Sequence, residues 1–350
     1  MEVECQETQD CRQIQVVVRL KGGLIELDGT MEAAKTEVMS KQPPKIQEKF
    51  NNDIHKQDIL VASGECDGAE IFSWDKNAWY EISEMNESHV AASSFVYNNK
   101  LFVIKGISCT ETIETLDLNE LPLKWIEFSD EFPDRIRDAK FVVYRHRVIA
   151  ICACNEDDDT KSNMICELQL GSPFTLKELC QMPHSLGFQG TEAFEDKVLI
   201  LGGIADGDVL DSVLEFDPEK NECKELPPLP HPLYGMGTVH WRDQVVVLGG
   251  SSLNDQPLND VYMYDSKTGI ITVLPPMLKR RNGCCAVITG NTIVVMGGMS
   301  VNDEYDEEYK CLNSVEYFTM GGSTWKYLPS MNKERWEAVA IALPSTRKYV

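Results

Sequence analysis

The hydrophobic residues of this chain fall in short runs of four or five, and the runs recur in sets of four. In one well-defined set they are Gly237–Trp241, Val245–Leu248, Val261–Tyr264 and Ile270–Leu274. All are rich in Val, Ile and Tyr and are bounded by Gly, Asn, Asp or Pro, which predicts β-strands. A two-residue polar or glycine-containing link joins the first run to the second: Arg242–Asp243 here, and Asn98–Asn99, Glu195–Asp196 and Gly290–Asn291 elsewhere. Links of that length suit tight hairpin turns. The second run ends in a pair of small residues. The fourth carries an aromatic or apolar anchor, usually with Leu three positions on and Met at six, as in Trp325–Met331.

The set recurs six times. The second member of the small pair falls at Gly64, Gly106, Ala153, Gly203, Gly250 and Gly298, at spacings of 42 to 50 residues. The anchor falls at Trp79, Trp125, Leu176, Cys223, Ile271 and Trp325, at spacings of 46 to 54. A period in the high forties excludes helical repeats of roughly 34 residues and means an array of similar supersecondary units. Four antiparallel strands per unit, set radially, make a β-propeller blade. The small pair closes the second strand where the backbone turns tightly and leaves no room for a side chain.

The array begins with a second-strand run, Ile59–Ala62, and ends with a first-strand run, Glu337–Leu343. The last strand therefore completes the first blade and pins the two ends together, which removes an open sheet edge. The expected architecture is all-β: a short N-terminal extension over residues 1–57, a six-bladed propeller over 58–343 and a tail over 344–350. Within the extension, Ile14–Leu20 and Leu24–Leu27, joined by Lys21–Gly23, predict a hairpin. Met31–Met39 predicts a short helix, stopped by Pro43–Pro44.

The double Gly, the aromatic before Asp (Phe216–Asp217, Tyr264–Asp265), the Trp and the Leu-Pro-Pro-Met type of tail resemble the kelch repeat. The resemblance spans Asp58 to Leu343 and is strongest in the last three units. The earlier pairs are Ser63–Gly64, Lys105–Gly106 and Cys152–Ala153. It is closest to the kelch domain of BTB-kelch proteins. There an oligomerisation domain and a helical domain precede the propeller, and residues 1–57 look like neither.

Composition narrows the function. The chain has 350 residues, 43% of them hydrophobic, enough for a sizeable core. A net charge of −23 argues against nucleic acid and anionic membranes as partners. No apolar run reaches the ~18 residues that span a bilayer, and the first residues are acidic and polar, so a cytoplasmic location is expected. The 12 Cys show no metal-type spacing and read as reduced, structural residues. The acidic stretches Glu156–Asp159 and Asp303–Glu308 read as solvated loops, lacking the glycine-containing spacing of a calcium loop.

The residues do not spell an enzyme. The six His (His55, His89, His146, His184, His231, His240) are scattered, and neither a phosphate loop nor a Ser nucleophile elbow is present. No metal or cofactor is expected. Function is then expected on the loops of one propeller face. In peptide-binding kelch domains, contacts come from loops just before each innermost strand and from loops after each Gly pair. Carried over by matching position, the first set is His89, Arg135, Ser185, Tyr234, Arg281 and Arg335, with Trp336 adjoining. The second is Asp67, Thr110, Asn155, Asp206, Asn254 and Asn302. Arg135, Arg281 and Arg335 would then converge on the channel and clamp an acidic peptide, Arg being suited to bidentate carboxylate recognition. The alternative is that these Arg pair with the protein's own Asp and Glu. The resemblance implies a protein-binding adaptor that selects substrates for a cullin-type ubiquitin ligase. An actin-binding scaffold and a propeller enzyme are the other classes.

Overall fold

Strand-forming sequence accounts for nearly all of the regular structure in the computed structural model. It describes residues 2–7, 14–20, 23–29, 56–64, 66–104, 112–128, 139–151, 163–301, 309–346 and 348–350. The chain divides into two compact units, Met1–Asp53 and Ile54–Val350. In the first, Glu2–Glu7, Ile14–Leu20 and Gly23–Gly29 form a three-stranded antiparallel sheet, with Ile14 opposite Gly29 and Glu7 opposite Ile14. The expected hairpin is thus joined by a further strand, Glu2–Glu7. The helix expected over Met31–Met39 lies outside the described residues.

The second unit is the six-bladed propeller. Each blade is a four-stranded antiparallel sheet whose sequence order runs outward from the hub. Blade 2 is Ser93–Tyr97, Lys100–Ile104, Ile113–Asp117 and Trp125–Glu127; blade 3 is Lys140–Tyr144, Arg147–Ile151, Met164–Gln169 and Thr175–Gln181; blade 4 is Gly190–Ala193, Val198–Leu201, Val213–Asp217 and Glu222–Leu226; blade 5 is Gly237–Trp241, Gln244–Leu248, Val261–Asp265 and Ile271–Leu274; and blade 6 is Cys285–Thr289, Thr292–Met296, Val315–Thr319 and Lys326–Leu328. Blade 1 differs in connectivity. Its innermost strand is the C-terminal Val339–Ala342, paired with Ile59–Ala62 so that Val339 faces Ala62 and Ala342 faces Ile59. The ring closes as the order of runs predicts. The tail adds to this closure, since the Tyr349 hydroxyl donates to the Leu118 carbonyl at 3.2 Å in blade 2.

Burial follows strand position. Second strands lie between two neighbouring blades and are apolar on both faces: Ile59–Ala62 and Val198–Leu201 are buried throughout. Outermost strands such as Lys326–Leu328 are largely exposed and read as mixed sequence. Six apolar clusters result, one between each pair of neighbouring blades. Fully burying one Val or Leu contributes roughly 1.5–3 kcal/mol, so these seams are the main cohesive force of the ring.

The paired glycines have a specific task. Gly249 and Gly250 have φ of 60° and 92°, a region that side chains disfavour. A Cβ on Gly249 would stand 2.4 Å from the Arg281 carbonyl oxygen. The Gly250 N–H donates to that same carbonyl at 2.8 Å. The close approach of one blade's Gly pair to the next blade's entry loop therefore excludes a side chain.

Candidate functional site

Among the described residues, five innermost strands are entered through a loop with a fixed register. A buried Met or Leu opens it, at Met85, Met182, Leu229, Met277 and Met331. Four residues on comes a second buried side chain: His89, Leu186, Leu233, Arg281 or Arg335. Two further on, the backbone turns left-handed, with φ of 54° at Ala91, 56° at Phe188, 62° at Gly235, 63° at Gly283 and 48° at Glu337. These last residues are linked around the hub. The Gly235 N–H donates to the Phe188 carbonyl at 2.9 Å, Gly283 to Gly235 at 2.8 Å, and Glu337 to Gly283 at 2.8 Å. A chain of backbone hydrogen bonds thus runs from blade 4 to blade 1.

Arg281 and Arg335 do not face the channel as the expected arginine clamp required. Arg281 is fully buried and its guanidinium is occupied internally. Nη2 donates to Glu316 Oε1 and Ser314 Oγ, both at 2.9 Å, and Nη1 donates to the Gly297 and Ser314 carbonyls at 2.6 and 3.0 Å. Arg335, also fully buried, repeats the arrangement in blade 1. It reaches Glu70 Oε1 at 3.0 Å and the Ser63 and Gly68 carbonyls at 2.6 and 2.8 Å. His89 does likewise in blade 2, with Nε2 3.1 Å from Glu114 Oε1. The carried-over residues Arg281, Arg335 and His89 lie in entry loops, and at this position the side chain points into the blade. The alternative, pairing with the protein's own carboxylates, describes Arg281 and Arg335.

Each of these carboxylates also holds the entry loop. Glu316 accepts the N–H groups of Leu278 and Lys279 at 2.6 and 3.0 Å. Glu114 accepts those of Asn86 and Glu87 at 2.8 and 2.9 Å, and Glu70 those of Asn332 and Lys333 at 2.8 and 3.3 Å. Burial pushes the Glu114 carboxyl upward, but the hydrogen bonds from His89 and the two amides outweigh it and hold the group below its ordinary value.

The outward-facing surface of these loops carries different residues. The Tyr234 hydroxyl donates to Asp255 Oδ1 at 2.8 Å, and the Tyr309 hydroxyl donates to the Asp255 carbonyl at 2.6 Å. The Phe188 ring lies edge-on to Tyr234 with centroids 6.3 Å apart. Leu253, two residues before Asp255, is 65% exposed, Tyr309 is 43% exposed and Phe188 is 37% exposed. Burial, then the bond to Asp255, pushes the Tyr234 phenol up to about 12. A single aspartate thus fixes Tyr234 and Tyr309, Phe188 packs edge-on against Tyr234, and the exposed Leu253 stands in the same turn as Asp255, all over blades 4 to 6.

Of the remaining expected residues, Tyr234 lies in this cluster and the exposed Asn254 adjoins it in the same turn. Trp336 is half-buried over Gly283, where a Cβ would come within 2.2 Å of its Nε1. Ser185 is half-buried and stands one residue before the inward-pointing Leu186. Arg135, Asn155 and Asn302 lie outside the described residues, as do Thr110 and the acidic stretches Glu156–Asp159 and Asp303–Glu308. Phe188, Leu253 and Tyr309 were not foreseen. Phe188 had one signal: by register it occupies the left-handed position held by Gly in blades 5 and 6.

Among the described residues no group of three or more His, Cys, Asp or Glu is placed to hold a metal ion, and no helix is long and apolar enough to cross a membrane. The family model of the Kelch motif matches three consecutive segments, residues 187–230, 232–278 and 280–332. They coincide with the last three repeats, where the double Gly is intact. No curated protein matches the chain. Among solved structures, one titled "Structure of YjhT" is similar, with a TM-score of 0.64 at 12% identity over 73% of this chain and 88% of that one. At that identity the likeness concerns the fold alone.

Proposed function

We propose that this propeller, whose last three repeats match the Kelch motif, acts as a non-enzymatic protein-binding module whose partner docks on the entry-loop face over blades 4 to 6. Kelch propellers generally serve protein interaction. The observation that carries the reading is the surface group of exposed Phe188, Leu253 and Tyr309 around the half-buried Tyr234. Aromatic side chains held rigid on a surface are the residues that anchor protein interfaces. Phe188 adds a second mark. A bulky residue at φ 56° is strained, of the order of 1–3 kcal/mol, and such strain gathers at functional sites. An aromatic kept there at a cost to stability has its use outside the fold.

The finer reading is that the bound partner is a substrate selected for a cullin-type ubiquitin ligase. It is supported by the resemblance to BTB-kelch propellers. In this reading the face supplies selection and the ligase subunits supply chemistry. The test is affinity capture from lysate with the native chain and with the Tyr234→Ala/Tyr309→Ala variant. The reading expects partners lost in the variant at unchanged thermal unfolding, with cullin-type ligase subunits among those retained by both. An identical partner set on both proteins contradicts the docking face. Absence of any ligase subunit contradicts the adaptor role while leaving the docking face standing.

A further inference from the structure

The same carboxylate staple presents different side chains in different blades. In blade 2 the amides held by Glu114 belong to Asn86 and Glu87. In blade 1 those held by Glu70 belong to Asn332 and Lys333, followed by Glu334. In blade 6 the loop held by Glu316 is Leu278, Lys279 and Arg280. This last loop sets two consecutive cations side by side with their backbone fixed.

These cations line a cavity of about 400 Å³ that also includes Lys310, Ser300, Asn259, Asn313 and Glu334. Lys279, Arg280 and Lys310 are exposed, and among the described residues no side-chain hydrogen bond or ion pair engages any of them. In a chain with 33 Lys and Arg against 56 Asp and Glu, three unpaired cations around one cavity stand out. Some exposed cations elsewhere do pair with carboxylates, as Lys267 with Asp243 at 2.8 Å and Lys348 with Asp75 at 3.1 Å. The corresponding cavity at blade 4, about 350 Å³, is lined by Pro183, His184, Asp211 and Glu225 and contains neither Lys nor Arg. The blade 6 cavity thus has a cationic lining that the corresponding blade 4 cavity lacks.

We infer that this cavity is an anion subsite, and that the protein partner docked on the face places an oxyanion group there, a phosphate or clustered carboxylates. The inference rests on the proposed docking face. Tyr309, part of the aromatic cluster, directly precedes Lys310, so one partner segment can reach both. The lining offers ammonium, guanidinium, amide and hydroxyl donors against a single carboxylate, Glu334. Such a set matches a group with several acceptor oxygens. Because the surrounding protein is acidic, the attraction is local and screens within roughly 8 Å at physiological salt.

The test uses random-sequence peptide libraries passed over the immobilised full chain. One has a fixed central phosphoserine, one a fixed Glu-Glu and one neutral fixed positions. The native protein is expected to enrich one or both anionic libraries roughly tenfold over the neutral one, as a charge-assisted contact would. Which of the two is enriched identifies the source of the oxyanion. Lys279→Gln/Arg280→Gln is expected to abolish that preference with unchanged unfolding, both side chains being exposed. Tyr234→Ala/Tyr309→Ala is expected to lower retention of all libraries. Equal retention of all three by the native protein overturns the anion subsite and leaves the docking face intact. An anionic preference that survives Lys279→Gln/Arg280→Gln also overturns it. Retention of none overturns both.

Discussion

Blades 6, 1 and 2 and blades 4 and 5 solve the same problem in opposite ways. In the first group the entry residue is Arg281, Arg335 or His89, its partner in the third strand is Glu316, Glu70 or Glu114, and the loop amides are held by that carboxylate. In the second group the entry residue is Leu186 or Leu233, packed in one cluster with Leu214 or Tyr262 at the same third-strand position. The residue after the opening Met or Leu is Leu278, Asn332 or Asn86 in the first group and Pro183 or Pro230 in the second. Proline has no N–H, so an apolar neighbour leaves nothing unsatisfied there. Three positions change together: Arg or His, carboxylate and amide, or leucine, a largely apolar partner and proline. The difference teaches that Arg281 and Arg335 belong to a structural alternative. Replacing a buried pair by apolar residues is often near neutral, whereas removing one member strands a buried charge.

The comparison can be broken most severely at blade 1, which depends on both the staple and ring closure. A chain ending before Trp336 loses the strand Val339–Ala342 and exposes the edge of Ile59–Ala62. It is expected to show no cooperative thermal transition near that of the intact protein. Arg335→Leu keeps the strand but leaves Glu70 and two carbonyls without their donor, an expected loss of about 3–5 kcal/mol in urea unfolding. Next comes acid. Glu114 titrates below its ordinary value in the folded state, so its contribution is full above the unfolded value of about 4.3 and is lost as pH falls through the lower folded one. Glu114→Gln is expected to flatten the decline of stability over that window, measured by unfolding at stepped pH. The smallest effect is expected on the outer surface. Phe188→Gly relieves the left-handed strain and should raise stability by up to about 1 kcal/mol, while weakening partner retention.

Much of the fold was legible because it rests on periodicity. The second strands are apolar on both faces, the Gly pairs mark their ends, and the last run is of the first-strand type. Those signals gave six blades and closure through Val339–Ala342. The site was less legible, because register within a loop decides whether a side chain points into the blade or away. Tyr234 and Arg281 were matched as equivalents, yet by register Tyr234 corresponds to Asn282 and Trp336. A one-residue difference separates the buried position from the exposed one. The Arg–Glu and His–Glu pairs were readable in principle, since Glu70, Glu114 and Glu316 each stand second in a largely buried third strand. The aromatic cluster was not, because Phe188, Asp255 and Tyr309 come together from three different repeats.

The most direct test is a double-mutant cycle on Arg281 and Glu316, followed by urea unfolding. The expected result is that Arg281→Leu and Glu316→Leu each lose about 3–5 kcal/mol. The double variant should recover most of that loss, and adding Leu278→Pro should bring blade 6 close to the native stability by giving it the pattern of blades 4 and 5. Native-like unfolding of Arg281→Leu alone would contradict the account, because it would mean that the buried guanidinium is dispensable to the fold and kept for another purpose.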